Sequence, residues 1–94
     1  MPTYLVIARD RPDAGDLRAQ TRPRHLEYLA ARTIDIILSG PILTEDERMA
    51  GSMFVISAPD RATVEAFLAG DPYARAGLFD SVSIERWRQV IPAQ

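Results

Sequence analysis

The chain has 94 residues, which suffices for one domain and leaves no room for a second. Hydrophobic residues make up 47% and charged residues 26%, as in ordinary globular proteins, and the net charge of −2 argues against nucleic acid as the main partner. The absence of cysteine excludes a disulfide framework and a thiolate nucleophile. No apolar run approaches the ~20 residues of a membrane span, and the N-terminus lacks the basic region of a signal peptide, so we expect a cytoplasmic protein without membrane contact.

The first two elements are predicted to be a strand and a helix. Tyr4–Ala8 is short and apolar on both alternating faces, which indicates a buried strand. A polar loop follows, and a helix then begins somewhere between residues 16 and 22. Asp16 is a suitable cap for an early start, whereas Thr21 would cap a later one that places Pro23 in the first turn.

A β-hairpin is predicted next. Ile34–Leu38 has the pattern of a second strand, and Ser39-Gly40-Pro41 predicts a bend or bulge after it. A charged loop over residues 44–50 leads to a third strand that Gly51 opens and Ser57 closes. The short polar connection favours antiparallel pairing of these two strands.

A second helix and a short helical turn are predicted in the second half of the chain. Asp60 is the expected N-cap of the helix, and Gly70 is expected to end it as a C′ glycine. Asp71-Pro72 then restarts a helical turn, because Asp at the cap and Pro at the first position are preferred there. The predicted buried stripe of the helix consists of Val64, Phe67 and Leu68.

The last strand is predicted from residue 81 to about residue 90, although Trp87 breaks the alternation of Val82 and Ile84. The order is therefore β-α-β-β-α-β, the ferredoxin-like α+β arrangement with one four-stranded antiparallel sheet. Two helices cover only one face of such a sheet, yet the first three strands are apolar on both faces. We therefore predict a homodimer that pairs through its sheet faces.

The only histidine, His25, is the first candidate for catalysis, because histidine is the side chain whose ordinary pKa lies nearest neutral pH. Arg22, His25, Leu26 and Leu29 have the spacing i, i+3, i+4 and i+7 and thus share one helix stripe. This stripe turns His25 toward the core. A partly buried histidine that bonds to backbone would fit the same pattern, so a structural interpretation stays open.

Three short motifs carry a family resemblance that covers nearly the whole chain. Arg22-Pro23-Arg24-His25-Leu26, Ser39-Gly40-Pro41 and Asp71-Pro72-Tyr73 together resemble the YciI-like family of the dimeric α/β barrel superfamily. The resemblance implies a catalytic dyad of His25 and Asp71 in a pocket. It also implies a single YciI-like domain over residues 1–94 that pairs into a dimeric α/β barrel. The segment after Pro41 is shorter than in many relatives, which bears on the shape of the pocket mouth.

A carboxylate that accepts from one imidazole nitrogen fixes the tautomer and makes the other nitrogen more basic. Asp71 also suits a purely structural role as a helix cap, and the two roles are compatible because a carboxylate accepts several hydrogen bonds. The sequence leaves open whether Asp71 contacts His25 or only begins a helix. Asp35 is a second acidic candidate, but its place at the start of a strand favours a turn or edge role.

Five further residues are candidates for binding the substrate. Arg22 lies one turn before His25 and would bind a carboxylate or phenolate, or else pair with a surface carboxylate. Ser39 lacks a basic partner at motif spacing, so it is expected to line the pocket or support the bend rather than act as a nucleophile. Gly40-Pro41 is interpreted as shaping the pocket, and Tyr73 as a packing residue whose hydroxyl reaches the rim.

The leading hypothesis is a small cofactor-independent enzyme that uses His25 and Asp71 for acid–base chemistry on a small ligand. The resemblance implies elimination or isomerisation, such as dehydrochlorination, of an aromatic or lactone substrate. One histidine and scattered carboxylates do not suggest a metal site, and no phosphate-binding glycine motif is present. The alternatives are a non-catalytic metabolite-binding or accessory module, or a monooxygenase-like or haem-degrading dimeric α/β barrel protein.

Overall fold

Four strands and three helices make up the chain in a computed structural model, which describes residues 1–93. The elements are β1 (Thr3–Asp10), α1 (Leu17–Ala30), β2 (Asp35–Leu43), β3 (Met49–Ser57), α2 (Arg61–Gly70), the one-turn α3 (Pro72–Arg75) and β4 (Phe79–Arg86). Within the described range, no helix has both the length and the apolar character that a membrane crossing requires.

The strands form one antiparallel sheet in the spatial order β2-β3-β1-β4. The first strand lies in the interior of the sheet, where Val6 is opposite Phe54 of β3 on one side and Ile84 of β4 on the other. The two strands that enclose α1 in sequence are therefore separated by β3. This is the ferredoxin-like α+β arrangement, and the predicted fold class is confirmed.

The alternation of buried and half-buried residues along β1 shows which face of the sheet the helices cover. Tyr4, Val6 and Ala8 are buried on the helix side, whereas Leu5 and Ile7 point to the opposite face and are half-buried. The core on the helix side combines strand residues with the apolar stripe predicted for α2. Its buried members are Tyr4, Val6, Phe54, Ile56, Ala58, Val64, Phe67 and Leu68.

The first helix begins at the earlier of its two possible starts. The carbonyl of Asp16 accepts from Gln20, which makes Asp16 the N-cap by its backbone, although its side chain forms no capping bond. The later start is wrong, since Thr21 is buried inside the helix rather than capping it. Pro23 therefore lies in the middle of α1 and not in its first turn.

The bend predicted after Leu38 is wrong, because β2 continues through Ser39-Gly40-Pro41 to Leu43. The pairing with β3 is irregular on either side of this motif, between Ile36 and Leu38 and between Ile42 and Leu43. Proline is compatible with this position because β2 is an edge strand, which pairs with β3 on one side only. The motif thus lies on a strand, with its side chains at fixed register against β3.

Gly70 is the last residue of α2 and not a C′ glycine, and its φ is not positive. Its lack of a side chain matters for packing, because a Cβ there would lie 2.5 Å from the hydroxyl of Tyr28. That hydroxyl donates to the carbonyl of Phe67 at 2.8 Å, which joins α1 to α2. A larger residue at position 70 would displace the Tyr28 side chain and so weaken this link between the helices.

The last strand ends earlier than predicted, at Arg86. Trp87 therefore lies just beyond β4, and its backbone N–H still donates to the carbonyl of Thr3 at 2.9 Å. The break in alternation at Trp87 is explained by the end of the strand, because beyond β4 successive side chains need not point to opposite faces of the sheet.

Candidate active site

A cavity of about 180 Å³ lies between α1 and the β2–β3 half of the sheet. We call it the α1 cavity. It holds every residue proposed from the sequence for substrate binding, together with His25. It is lined by Arg18, Arg22, His25, Leu26, Leu29, Ser39, Gly40, Pro41, Ser52, Met53, Phe54 and Tyr73.

His25 contacts Asp71 although 46 residues separate them in the sequence. The imidazole Nδ1 donates to the carboxylate, at 2.9 Å from Oδ1 and 3.0 Å from Oδ2. Asp71 is completely buried, and His25 is only 7% exposed. Because an ionised carboxylate only accepts hydrogen bonds, this contact places a proton on Nδ1, so in the neutral ring the lone pair lies on Nε2.

Asp71 also caps α3, as the Asp-Pro sequence predicts. Its Oδ1 accepts from the backbone N–H of Tyr73 at 2.9 Å, and Pro72 occupies the first helical position. The capping bond thus holds the carboxylate in the orientation in which it accepts from His25. Asp71 therefore has both of the contacts that the sequence left open, whereas Asp35 is exposed at the start of β2.

The Nε2 atom of His25 is free to meet a ligand. Among residues 1–93 this nitrogen has no hydrogen-bond partner, and no buried side-chain nitrogen or oxygen in that range is without one. Since His25 lines the α1 cavity, Nε2 is open to solvent there. The ring thus has one fixed nitrogen and one accessible nitrogen.

Tyr73 forms a wall of the cavity and holds the His25 ring in place. The two rings stack with centroids 4.0 Å apart and planes inclined by 18°. Burial raises the pKa of Tyr73 above its ordinary value, and the positive charges of Arg18 and Arg22 only partly oppose this. The hydroxyl is therefore protonated at neutral pH and is able to donate.

Arg18 also lines this cavity, although it is not among the residues predicted from the sequence. It is 8% exposed, and Nε and Nη2 donate to the two carboxylate oxygens of Asp10 at 2.7 and 2.8 Å. Nη2 also donates to the hydroxyl of Ser52 at 2.9 Å. Burial lowers the pKa of Arg18, but the hydrogen bonds and charge of Asp10, together with smaller contributions from Tyr73, raise it above its ordinary value, so the guanidinium stays charged.

Arg22 lies at the mouth of the cavity and is exposed. Within the described residues it forms no ion pair, so the surface pairing considered as an alternative is not observed. Ser39, Gly40 and Pro41 form the opposite wall on β2, where Ser39 is in register with Phe54. The three predicted motifs thus meet around one cavity.

Comparison with known proteins identifies the family. The sequence model of the YCII-related domain matches residues 2–88. The chain belongs to this family. Curated relatives named Protein YciI, from Escherichia coli O6:H1 and Shigella flexneri, are each 25% identical over 95 residues, covering 93% of this chain and 97% of theirs. The resemblance stated from the three motifs is confirmed.

One solved structure with a known activity is similar to this YCII-family chain over nearly its whole length. It is the 5-chloro-2-hydroxyhydroquinone dehydrochlorinase TftG of Burkholderia phenoliruptrix AC1100, in complex with 2,5-dihydroxybenzoquinone. The identity is 31% and the TM-score 0.86, covering 98% of this chain and 99% of TftG. An antibiotic biosynthesis monooxygenase shares only the fold, at 14% identity and a TM-score of 0.58 over 96% of this chain and 99% of its own.

The sequence did contain a signal for Arg18. It precedes Arg22 by four residues and His25 by seven, so it extends the same helix stripe by one turn. From the sequence, α1 could begin at residue 16 or at residue 21. A start at residue 21 would leave Arg18 outside the helix, so its place on this stripe was not evident. Ser52 gave no signal, since a serine within an apolar strand has no motif.

Proposed function

We propose that this YCII-family protein is a small acid–base enzyme in which His25, oriented by Asp71, moves protons on a small ring-shaped substrate. The observation that carries the proposal is the buried contact from His25 Nδ1 to Asp71, at 2.9 Å, with Nε2 open to the α1 cavity. A histidine with one nitrogen fixed and the other accessible has the geometry of a general base.

The proposed reaction is elimination of HCl from a chlorinated, hydroxylated aromatic ring. His25 Nε2 takes a proton from one hydroxyl group and delivers it to the carbon that bears chlorine. A second hydroxyl then loses its proton, and its electron pair moves through the ring and expels chloride. One proton and one chloride ion leave and the ring becomes a hydroxylated quinone, so the proposed reaction balances without an oxidant or a cofactor.

The size of the cavity supports a substrate with a single ring. Pockets for drug-sized ligands measure roughly 300–1,000 Å³, and the α1 cavity is smaller, at about 180 Å³. Leu26, Leu29 and Phe54 supply apolar surface for the faces of a ring. The similarity to TftG, a dehydrochlorinase with a hydroxylated quinone bound, supports the same substrate class.

Chloride release from 5-chloro-2-hydroxyhydroquinone tests the proposed function. We expect the purified protein to release one chloride ion for each quinone formed, at a rate proportional to enzyme concentration. Substrate that binds, as measured by calorimetry, without any release of chloride would contradict the proposal. That result would favour the metabolite-binding module.

We also propose that two copies pair through the sheet face that the helices leave uncovered. The half-buried Leu5 and Ile7 point to that face, beside Val55 of β3. A domain of this size has a small core, so covering this apolar surface would stabilise it. The expected species in sedimentation velocity at micromolar concentration is therefore a dimer.

The substitution Ile7→Glu is expected to convert that dimer to a monomer. It places a charge in the middle of the uncovered face, opposite Met53 and Ser83. Val82→Glu is the matched control, because Val82 lies on the helix side of the sheet opposite Ala8 and is 47% exposed. A parent protein that sediments as a monomer would refute the pairing.

A further inference from the structure

A second cleft adjoins the α1 cavity, between the C-terminal half of α1 and the first half of β2, and has a volume of about 320 Å³. We call it the side cleft. It is lined by Leu26, Leu29, Ala30, Arg32, Ile36, Ile37, Leu38 and Ser39. Leu26, Leu29 and Ser39 also line the α1 cavity, so the two spaces meet along these three residues.

The side cleft leads away from His25 toward the segment that joins α1 to β2. Along α1 the lining moves from residues 18–29 in the α1 cavity to residues 26–32 in the side cleft. Along β2 it moves from residues 39–41 to residues 36–39. The charged residue of this lining, Arg32, lies between α1 and β2 and thus at the far end. The part of the side cleft nearest the α1 cavity is therefore apolar apart from the hydroxyl of Ser39.

A bulge in β2 adds apolar surface to the side cleft. Ile36 lies opposite Ile56 and Leu38 lies opposite Val55, so two steps along β2 match one step along β3 and Ile37 is an extra residue. Successive side chains of a regular strand point to opposite faces, whereas a bulge redirects a side chain. Here the three consecutive residues 36–38 all line the same cleft.

We infer that the side cleft is a subsite for an apolar substituent, such as a short alkyl chain, on the ring that occupies the α1 cavity. Leu26, Ile37 and Leu38 are each between 40% and 48% exposed, so an alkyl chain in the side cleft removes apolar surface from water on both sides of the contact. The inference rests on the proposed function for the position of the ring. It adds that the ligand class is alkyl-substituted hydroxylated rings rather than the bare ring.

Equilibrium binding to the purified full chain tests the subsite with two probes. They are 2,5-dihydroxybenzoquinone and its 3-butyl derivative, which differ only in the alkyl chain. Complete burial of one methylene group strengthens binding about fourfold. Because the side cleft is partly open, we expect about twofold for each carbon of the chain, and thus binding of the butyl probe about tenfold or more tighter than that of the bare ring.

Two substitutions change the side cleft from opposite walls without altering the lining of the α1 cavity. Ile37→Ser removes apolar surface from the β2 wall, and Ala30→Phe fills the side cleft from α1, since both residues line the side cleft only. In each variant we expect the preference for the butyl probe to fall below about threefold. The affinity for the bare ring should stay within about twofold of the parent.

Val82→Ser is the matched control, because Val82 lies on the other edge strand, is 47% exposed against 40% for Ile37, and lines neither space. It should keep the full preference for the butyl probe. An equal loss of preference in Ile37→Ser and Val82→Ser would mean general adsorption of the alkyl chain and would overturn the inference. A parent that binds the two probes equally, or neither of them, would overturn it too, as would a preference that survives both Ile37→Ser and Ala30→Phe. Because no turnover is measured, failure to release chloride refutes the proposed function alone.

Discussion

Replacing His25 with alanine is expected to reduce chloride release from 5-chloro-2-hydroxyhydroquinone by about 100-fold to 10,000-fold. In the proposed reaction, removal of the proton from the first hydroxyl and its delivery to carbon both pass through Nε2, and no other described side chain that lines the α1 cavity is a base of comparable strength. The measurement is the initial rate of chloride release at saturating substrate. Thermal unfolding followed by circular dichroism shows whether the variant remains folded.

The loss has to be separated from damage to the cavity, because the His25 ring stacks on Tyr73 and meets Phe54 edge-on at 6.3 Å. Binding of 2,5-dihydroxybenzoquinone makes this separation, since we expect the variant to retain it through the other residues that line the α1 cavity. Tyr28→Phe is the matched control on α1. It removes the hydroxyl that bonds to Phe67 outside the cavity and should leave turnover unchanged. His25→Ala with turnover within about fivefold of the parent would exclude a general base at this position.

Patterns that are local in the sequence were sufficient to predict most of the fold. The alternating burial of Tyr4, Val6 and Ala8 follows from strand geometry alone. The caps at Asp60 and Asp71 depend only on backbone N–H groups two or three residues away. Such signals do not depend on the rest of the molecule. The order of these elements then restricted the fold to the ferredoxin-like arrangement.

The errors arose where contacts distant in the sequence override the local signal. Glycine is the residue type expected at the C′ position of a helix. At position 70, however, glycine is favoured because the hydroxyl of Tyr28, 42 positions earlier, leaves no room for a Cβ. Pro41 signals a bend in isolation, yet pairing with β3 keeps the chain extended through it. Local propensity is a weak guide wherever tertiary contacts set the backbone.

The candidate site was predictable only in part for the same reason. His25 and Asp71 lie 46 residues apart, and no periodicity relates them, so the family resemblance supplied the pair. Arg18 is fixed by Ser52, 34 residues away, and by Asp10 at the end of β1. Neither contact belongs to a motif. The place of this guanidinium in the cavity therefore became evident only from the fold.

Replacing Asp71 with asparagine is expected to lower turnover about 100-fold while the chain stays folded. The amide oxygen keeps the cap on the N–H of Tyr73, but the negative charge that stabilises the protonated His25 ring is lost. The new NH2 group also favours the tautomer with its proton on Nε2, which removes the lone pair that the reaction needs. The measurement is the rate of chloride release at saturating substrate.

Asp60→Asn is the control for this substitution, because it makes the same chemical change at an equivalent cap. Oδ1 of Asp60 accepts from the N–H of Thr63 at 2.8 Å, as Oδ1 of Asp71 accepts from Tyr73, but Asp60 is exposed and does not contact His25. Turnover should therefore be unaffected. If Asp71→Asn and Asp60→Asn behave alike, Asp71 acts as a cap and not through the histidine.

Asp71→Ala separates the structural contribution of the carboxylate from the catalytic one. It removes the cap, at a cost of about 1 kcal/mol, and leaves buried donors on His25 and Tyr73 without a partner, at about 1–3 kcal/mol more. We therefore expect the free energy of unfolding to fall by about 2–4 kcal/mol in urea titrations, while Asp71→Asn loses much less. Equal destabilisation by both substitutions would mean that the charge itself holds α3 against α1, and the loss of turnover in Asp71→Asn would then no longer isolate a role in proton transfer.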